Sequence, residues 1–448
     1  MHLRTRHVLN RAFTGLGYVA TSIMAGALLV LLVPIFVRGA GAIVFRGTVE
    51  FRRYLFEQEG RGDREAVHNE IAHARAARAP VYAMLAEAEK EIATAPLTRQ
   101  RELRSALAEL RDAIRELLGP DPGQRTPVLL RQQYGQTRWD RALVKLHEVL
   151  YTETWDYSDP SGMGRKVYVP RAEAFTGLGV TALFPYVETH LSAMLRPRLT
   201  LYWGFLTDDS RDAHFFGGIM PELLGTFYLT VGAMLIAIPL GVLTAIYLAE
   251  YAGDNMAVRF LRSCMSTLAG VPSIVFGLFG LAFFINTLHV SHSKSVLAGS
   301  LTLALLVLPT VIRASEEAIR AVPHTYREAA LSLGASTWRT VCTVVLPAAL
   351  PGILTGIVIS MGRAAGETAP IIFTAAVSVG VPLKLWEVFN HPTPALSWNI
   401  YNVSTEHEAV DEIRHVQFGM VCVLVGLVLL LNLTAIMLRA RIARKLKG

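Results

Sequence analysis

The sequence predicts an all-α integral membrane protein with six transmembrane helices and an extra, mainly helical external domain between the first and second of them. Its 448 residues are 52% hydrophobic, which is too apolar for a soluble protein with an ordinary surface. The apolar residues are concentrated in blocks, and one long polar stretch follows the first block. The three cysteines lie far apart in the sequence and indicate neither a disulfide framework nor a metal site.

The net charge of +7 is a poor indication of nucleic-acid binding. The basic residues cluster at the two termini and in the early polar stretch, and no basic patch is interleaved with aromatic residues. A membrane protein with basic flanks accounts for this distribution, so we predict membrane lipid as a partner and no nucleic acid.

The first apolar block is Ala12–Val37, which carries no charge and is most apolar from Ile23 to Val37. A secretory signal peptide has a shorter apolar core and a small-residue cleavage site, whereas this run can cross a hydrocarbon layer of about 30 Å. Residues 1–41 are therefore predicted to be a cytoplasmic N-terminus and transmembrane helix 1. A signal anchor with a large external domain is the competing interpretation, which the later apolar blocks weaken.

Residues 42–216 are predicted to form a periplasmic, mainly helical insert. Apolar residues recur at three-, four- or seven-residue steps through Arg64–Thr94 and again through Arg99–Leu118, which indicates an antiparallel helical hairpin. Two helices alone bury little apolar surface, so Val128–Tyr151 is expected to pack on them as a third.

Two later stretches of the insert are less regular. Val167–Val169 is a candidate strand within the turn-rich stretch Tyr157–Pro170. Gly177–Leu195 is mildly apolar and is expected to lie on the membrane surface. A second true span there is the alternative, which Glu188 and His190 disfavour.

Residues 217–440 are predicted to be the membrane core, with transmembrane helices 2–6. Glycine and proline inside such helices are tolerated, although Pro272 is expected to break the third span. Glu250–Arg262 is expected to be a short polar loop. The predicted spans two to six are Leu223–Leu248, Cys264–Leu288, Val296–Ile312, Leu346–Val379 and Gln417–Leu438.

Six spans place both termini on one side of the membrane. The basic tail 441–448 and the arginines before the first span both indicate the cytoplasm by the positive-inside rule. Residues 42–216 are then external and the loop 313–346 is cytoplasmic. The arginines of the insert do not contradict this, because long domains translocate largely regardless of charge.

The loop 313–346 is predicted to contain a helix–turn–helix. Tyr326–Leu333 has helical composition after Pro323, Gly334 suits a left-handed C-cap, and Ser336 suits the N-cap of the next helix. An ordinary charged loop between spans is the alternative from spacing alone. The residues offered to a partner outside the lipid would be Glu328, Ala329, Ala330 and Gly334.

The fifth span carries two charges four residues apart, Arg363 and Glu367, on a stripe with Gly352, Gly356 and Gly366. Small residues let two helices approach closely, and charges within a span normally face a bundle interior or an aqueous path. Two interpretations follow. The charges form a structural salt bridge, or Arg363 meets an anion in transit, for which the planar guanidinium suits oxyanions such as phosphate or sulfate.

Other residues have weaker signals. Arg313 ends the fourth span and is either an interfacial anchor or part of the path, and Ser273 with Ser266 and Thr267 either lines that path or bonds to its own helix. We predict no catalytic residue, no cofactor and no metal site. A Gly-x-x-x-x-Gly-Lys-Ser/Thr motif is absent from the sequence, so ATP cannot be bound here through a P-loop.

These motifs resemble a known family. Glu328-Ala329-Ala330, Gly334 and Leu346-Pro347 are similar to the "EAA" loop of binding-protein-dependent ABC importer permeases of the MetI-like superfamily, with Val344 where isoleucine is usual. Ala245–Tyr251, Val271–Leu278 and Arg363–Pro370 resemble the phosphate-specific permeases of the PstA type. The resemblance gives no role to the extra residues Glu50–Leu201.

The resemblance implies a permease subunit of an ATP-driven phosphate importer in the bacterial inner membrane. Its partners would be a homologous PstC-type permease, two PstB-type ATPase subunits that bind ATP, and a periplasmic phosphate-binding protein. The loop would dock in the ATPase. A permease for sulfate or molybdate, and a membrane-anchored sensor or scaffold acting through the insert, are the alternatives. The predicted path residues are Arg363, Glu367, Thr368, Arg313 and Ser273.

Overall fold

The computed structural model describes residues 3–447 except 122–127, 157–163, 254 and 408. The chain divides into two compact units, Ile43–Tyr202 and the combination of Met1–Ala42 with Trp203–Gly448. Helices dominate both units and several of them are apolar enough to cross a membrane. The predicted helical membrane fold is confirmed.

The unit Ile43–Tyr202, called the insert below, has five α-helices among its described residues. The predicted hairpin is present and breaks at Pro96, and the third helix covers only Trp139–Leu150 of the predicted stretch Val128–Tyr151. The helices are α2 (Val49–Glu59), α3 (Arg64–Thr94), α4 (Leu97–Leu118), α5 (Trp139–Leu150) and α6 (Leu183–Leu195). The predicted stop at Gly119–Gly123 and the first half of the turn-rich stretch from Tyr157 extend into residues outside the described ranges.

The core of the insert lies between α3, α4, α5 and α6. Val81, Leu110 and Leu183 are completely buried there. The expectation that Gly177–Leu195 lies on a membrane surface is wrong, because the apolar face of α6 fills this core. An amphipathic helix can bury its apolar stripe against protein as well as against lipid, and the sequence did not distinguish the two.

Short antiparallel strands accompany these helices. β1 (Val44–Gly47) pairs with β4 (Arg198–Leu201), and β2 (Tyr151–Asp156) pairs with β3 (Arg165–Pro170), which contains the predicted strand Val167–Val169. The amide of Tyr202 donates to the carbonyl of Ile43 at 2.7 Å. The chain therefore enters and leaves the insert at adjacent points.

The second unit holds the remaining helices. Within the described ranges, five helical stretches are long and apolar enough to span a membrane, and six are found if the bent pair α9–α10 counts as one span. Its helices are α1 (Leu3–Ile43), α7 (Gly204–Thr207), α8 (Met220–Ile246), α9 (Met256–Ala269), α10 (Ser273–Gly280), α11 (Val296–Arg320), α12 (His324–Ser332), α13 (Thr337–Thr340), α14 (Leu346–Gly366), α15 (Ala369–Thr374), α16 (Leu396–Thr405) and α17 (Arg414–Lys447). Two-residue strands β5 (Ser210–Arg211) and β6 (Phe216–Gly217) precede α8.

Two predicted boundaries need correction. α9 begins at Met256, inside the stretch predicted as a polar loop, and the break expected at Pro272 bends α9 against α10 by 101°. The fifth block, predicted as one span to Val379, ends as a helix at Gly366, and α15 follows with Pro370 in its first turn. Proline at that position cannot donate the amide hydrogen bond that a continuous helix would need.

Helix α11 lies at the centre of this unit and packs closely against α8 and α14. A Cβ at Gly241 of α8 would lie 2.6 Å from Val311, and one at Gly356 of α14 would lie 2.3 Å from the Cβ of Ala314. Such contacts are possible only because glycine has no side chain. The side chains of α11 therefore pack directly on the backbones of α8 and α14.

Candidate functional site

The predicted start of the loop 313–346 is wrong, because α11 continues through Arg313 to Arg320. Beyond α11 the chain forms the predicted helix–turn–helix. α12 spans His324–Ser332, Gly334 has φ of +82°, and the Ser336 side chain accepts a hydrogen bond from the amide of Arg339 at 3.4 Å to cap α13. Helix α13 then continues through a π-helical segment into α14. The loop therefore carries a separate short helix, α12, and a second one, α13, that runs on into α14.

The outer surface of α12 and the turn after it mixes polar and apolar side chains. Glu328 and Ala329 are exposed, whereas Ala330 is half-buried. Leu333 is 90% exposed, and three further large side chains are about half exposed: Tyr326, Leu331 and Trp338. Exposed apolar side chains in a cluster are typical of a protein interaction surface, and we call this set with Glu328–Ala330 and Gly334 the docking surface.

An ion pair that the sequence did not reveal holds α12 in place. The Arg327 guanidinium donates to both carboxylate oxygens of Glu250, with Nη2 to Oε1 at 2.6 Å. It also donates to the backbone carbonyls of Ile319 and Val322 at 2.9 and 2.6 Å. Only 14% of the Arg327 side chain and 9% of Glu250 are exposed. The π-helical continuation of α8 (Tyr247–Tyr251), the end of α11 and the first turn of α12 are thus joined at one arginine.

The sequence contained a weak signal for this pair. Glu250 lies in the stretch Ala245–Tyr251 that resembles other permeases, and Arg327 directly precedes Glu328. Their 77-residue separation gives no local reason to join them.

Arg363 and Glu367 lie together at the end of α14. The Arg363 Nε atom donates to Glu367 Oε1 at 3.3 Å, with 39% and 18% of the two side chains exposed. Glu367 does not continue the helix as predicted, since it is the C-cap residue with extended backbone, φ −73° and ψ 133°. The ion pair therefore closes the end of α14, where the helix meets the turn before α15.

The glycines of the predicted stripe on α14 lie in two different environments. Gly352 and Gly356 pack against Ala318 and Ala314 of α11, whereas a Cβ at Gly366 would meet no atom within 4 Å. Close helix packing explains the first two glycines. The last one lies in open space beside the ion pair, so the chain is uncrowded where Arg363 is exposed.

Polar groups surround Glu367. Ser397 Oγ donates to the Glu367 carbonyl at 3.0 Å. A small cavity of ≈ 10 Å³ is lined there by Thr226, Thr230 and Glu367 among others, which is room for about one water molecule. Thr368 is the N-cap residue of α15 and makes no side-chain cap hydrogen bond.

Arg313 and Ser273 do not join this cluster through any hydrogen bond between described residues. Arg313 Nη2 donates to Ser266 Oγ at 3.1 Å. Ser266 and Thr267 also bond to carbonyls of their own helix, as the alternative interpretation predicted. Since Ala314 lies opposite Gly356, Arg313 is about 9 Å along the helix axes from the level of Arg363.

A second polar cluster, which the sequence did not predict, surrounds Glu222. The Glu222 carboxylate is completely buried, and its Oε1 accepts hydrogen bonds from His214 Nε2 and Asn399 Nδ2, both at 3.0 Å. His214 has a φ of +73°, so the turn before β6 is held in an unusual conformation. Among the described residues, groups of three or more His, Cys, Asp and Glu side chains that could hold a metal ion are absent.

Comparison with known proteins identifies the family. Residues 215–448 match the binding-protein-dependent transport system inner membrane component. The probable ABC transporter permease protein YqgI of Bacillus subtilis (strain 168) is 37% identical over 255 residues, which are 55% of this chain and 86% of that protein. The phosphate transport system permease protein PstA 1 of Mycobacterium tuberculosis (strain CDC 1551 / Oshkosh) is 39% identical over 225 residues, 50% of this chain and 71% of that protein.

The phosphate transport system permease protein PstA of Mycobacterium leprae (strain TN) is also similar, at 37% identity over 234 residues, 52% of this chain and 74% of that protein. The family match covers the second unit from just before β6 onwards and leaves the insert out. The helical core, the separate short helix α12 and this match agree. The chain belongs to the family of inner membrane components of binding-protein-dependent transport systems, and it is an ABC importer permease.

Proposed function

We propose that this permease carries inorganic phosphate across the bacterial inner membrane as one subunit of an ATP-driven importer. The relatives named as phosphate transport permeases support this substrate. The observation that carries it is Arg363, an arginine in an apolar helix whose Nη groups make no hydrogen bond to another described residue.

The geometry around Arg363 suits a transient anion contact. A single 3.3 Å contact with a partly exposed carboxylate stabilises the folded protein by about 0.2–1 kcal/mol. This is too little to offset the cost of placing an arginine in a span, so a purely structural salt bridge does not explain Arg363. Its two free Nη groups present the planar fork that binds a tetrahedral oxyanion in a bidentate manner. In the proposed path, Arg363 pairs with Glu367 when no anion is present and exchanges this partner for phosphate when one arrives.

The remaining predicted residues have supporting roles in this proposal. Thr368 and the uncrowded turn at Gly366 border the ion pair. Arg313 and Ser273 lie elsewhere along α11 and at the start of α10. We assign them to a separate stage of the same path, because the Arg313 guanidinium donates to Ser266 and not to the Arg363–Glu367 pair.

The proposed assembly follows from the family. The permease pairs with a homologous PstC-type subunit, two PstB-type ATPase subunits bind the ATP, and a periplasmic binding protein delivers phosphate. Both termini lie in the cytoplasm and the insert lies in the periplasm, as the distribution of basic residues predicts.

The docking surface is the proposed contact with the ATPase. Its exposed Leu333 and Trp338 would be buried in the complex, and each such side chain contributes about 1.5–3 kcal/mol when it leaves water. Glu328→Lys should weaken ATPase capture in a pull-down by reversing the charge beside this apolar patch. Glu317→Lys, at an exposed position on α11 outside the docking surface, is the matched control and should leave capture unchanged.

Transport of labelled phosphate into proteoliposomes tests the proposed path. Arg363→Ala should abolish uptake with the complex still assembled, and Arg363→Lys should retain only part of it, because lysine keeps the charge but lacks the fork. Arg320→Ala removes another i,i+4 pair, at 2.9 Å from Glu316, and should transport normally. Normal uptake by Arg363→Ala would refute the role of this residue. Stronger competition by sulfate or molybdate than by unlabelled phosphate would refute the substrate.

A further inference from the structure

A small cavity in the insert is lined by three arginines. It lies between α2, α3 and the end of α4, and its volume is ≈ 70 Å³. Helix α3 lines it with one face, since the α3 residues in its wall recur at three- and four-residue steps. The full lining is Glu50, Arg53, Ile71, Ala74, Arg75, Arg78, Tyr82, Leu118 and Pro120.

The three arginines differ in how far their donors are already used. Arg78 is buried and donates to Glu50, to the carbonyl of Leu118 and twice to the carbonyl of Met194, so it has about one free N–H. Arg53 donates its Nε to Glu57 at 2.8 Å. Arg75 is exposed and makes no hydrogen bond or ion pair with another described residue. Arg75 and the Nη groups of Arg53, which make an ion pair with Glu50 but no hydrogen bond to a described residue, are therefore the available donors.

Tyr82 adds a neutral donor to the same wall. Its hydroxyl makes no hydrogen bond with another described residue, and burial raises the pKa of Tyr82 to about 12 although Arg78 opposes the shift. The phenol thus stays protonated at physiological pH. The wall offers positive charge and a hydroxyl donor. The cavity has room for roughly five water molecules, which is enough for a tetrahedral oxyanion.

Glu50 decides which anion fits. Only 5% of its side chain is exposed. Oε2 forms an ion pair with Arg53 Nη1 at 3.6 Å, beyond hydrogen-bond distance, and has no hydrogen-bond partner among the described residues. Buried carboxylate oxygens without a donor are rare in folded proteins. A carboxylate accepts hydrogen bonds only, so the missing group is a donor. Hydrogen phosphate carries such a proton at neutral pH, whereas sulfate does not.

We propose that this cavity binds a protonated tetrahedral phosphate group, held by Arg53, Arg75 and Tyr82 with its P–O–H donated to Glu50. The group is either free inorganic phosphate or the monoester headgroup of a phosphatidic acid. The site belongs to the insert and is separate from the transport path through Arg363, so it does not depend on the transported substrate.

Hydrogen exchange of the full-length protein in detergent, followed by mass spectrometry at constant ionic strength, tests the free-phosphate source. Phosphate should slow exchange in α2 and in the segment 71–82 of α3. Arg75→Gln and Tyr82→Phe should raise the phosphate concentration for half-protection about tenfold or more. Both substitutions preserve the buried core. Arg104→Gln, at an exposed position on α4 outside the cavity, is the control and should behave as wild type.

Three further measurements make the result decisive. Arg363→Ala should keep the protection in the insert, which separates this site from the transport path. Sulfate should protect at least tenfold more weakly than phosphate, and equal protection would overturn the role of Glu50. Without free phosphate, nanodiscs with phosphatidic acid should protect more than nanodiscs of phosphatidylcholine if the source is lipid. Absence of protection by both ligands, or equal protection in Arg75→Gln, would overturn the site.

Discussion

The ion pair between Glu250 and Arg327 should control how well the permease binds its ATPase. Glu250→Gln keeps the size of the side chain and removes its charge. Breaking a buried ion pair costs about 3–5 kcal/mol because a charge is left uncompensated. Since 9% and 14% of these side chains are exposed and the amide oxygen still accepts one bond, we expect about 2 kcal/mol.

That free energy acts on the orientation of α12, because Arg327 bonds to the π-helical continuation of α8 and to the end of α11 at the same time. If all of it is lost from the docked state, ATPase affinity falls about 30-fold. Binding of the purified ATPase to the detergent-solubilised permease pair measures this directly. Arg320→Gln, which removes a 53% exposed partner of Glu316 and leaves Arg262 at 3.1 Å, should change affinity by less than about 0.5 kcal/mol.

A double-mutant cycle isolates the pair from other effects. Glu250→Gln and Arg327→Gln each leave one buried charge unpaired, so the double variant should be better than the sum of the two. We expect an interaction energy of about 1.5 kcal/mol or more in ATPase binding. A value below about 0.5 kcal/mol would show that the pair does not orient α12, and the reasoning would be refuted.

Three other predictions concern packing and the insert. Gly356→Val should lower the thermal stability of the purified subunit by about 1–3 kcal/mol, since a Cβ there would meet Ala314 at 2.3 Å, whereas Gly26→Val, which meets nothing within 4 Å, should not. The insert should lose stability between pH 10 and about 12, because burial raises the pKa of Tyr82 and Tyr134 to about 12 and the unfolded phenols ionise first, near 10. Tyrosinate absorbance during alkaline unfolding checks this, and Tyr82→Phe should flatten the profile. Replacing residues 44–201 by a short Gly-Ser loop should preserve phosphate uptake, because the ends of the insert are hydrogen-bonded at 2.7 Å; lost uptake would make the insert part of transport.

Features that depend on local chemistry were predictable from the sequence. Gly334 and Ser336 mark the end of one helix and the start of the next through their own backbone and side-chain preferences, and the structure places caps at both. The hairpin of the insert follows in the same way from periodicity, with its break near Pro96.

Features that depend on distant partners were not predictable. The apolar face of α6 signals burial but not whether lipid or protein covers it, so its place in the core of the insert was missed. The pairing of Glu250 with Arg327, and the burial of Glu222 against Asn399, join segments 77 and 177 residues apart. For Arg363 and Glu367 the four-residue spacing predicts contact only on a helix, and the contact survives although Glu367 lies one residue beyond it.

The arrangement of helices explains how work on the docking surface would reach the anion. Arg327 fixes α12 to the π-helical continuation of α8 and to the end of α11, and Gly356 brings α14 onto Ala314 of α11 without a layer of side chains between them. Close-packed contacts of this kind are stiff and move as rigid bodies rather than deforming. Helix α14 is also the continuation of the loop itself through α13. A displacement of α12 therefore has two routes to α14, a close-packed one through α11 and a covalent one through the turn at Gly334 and α13. In the proposed cycle both end at Arg363.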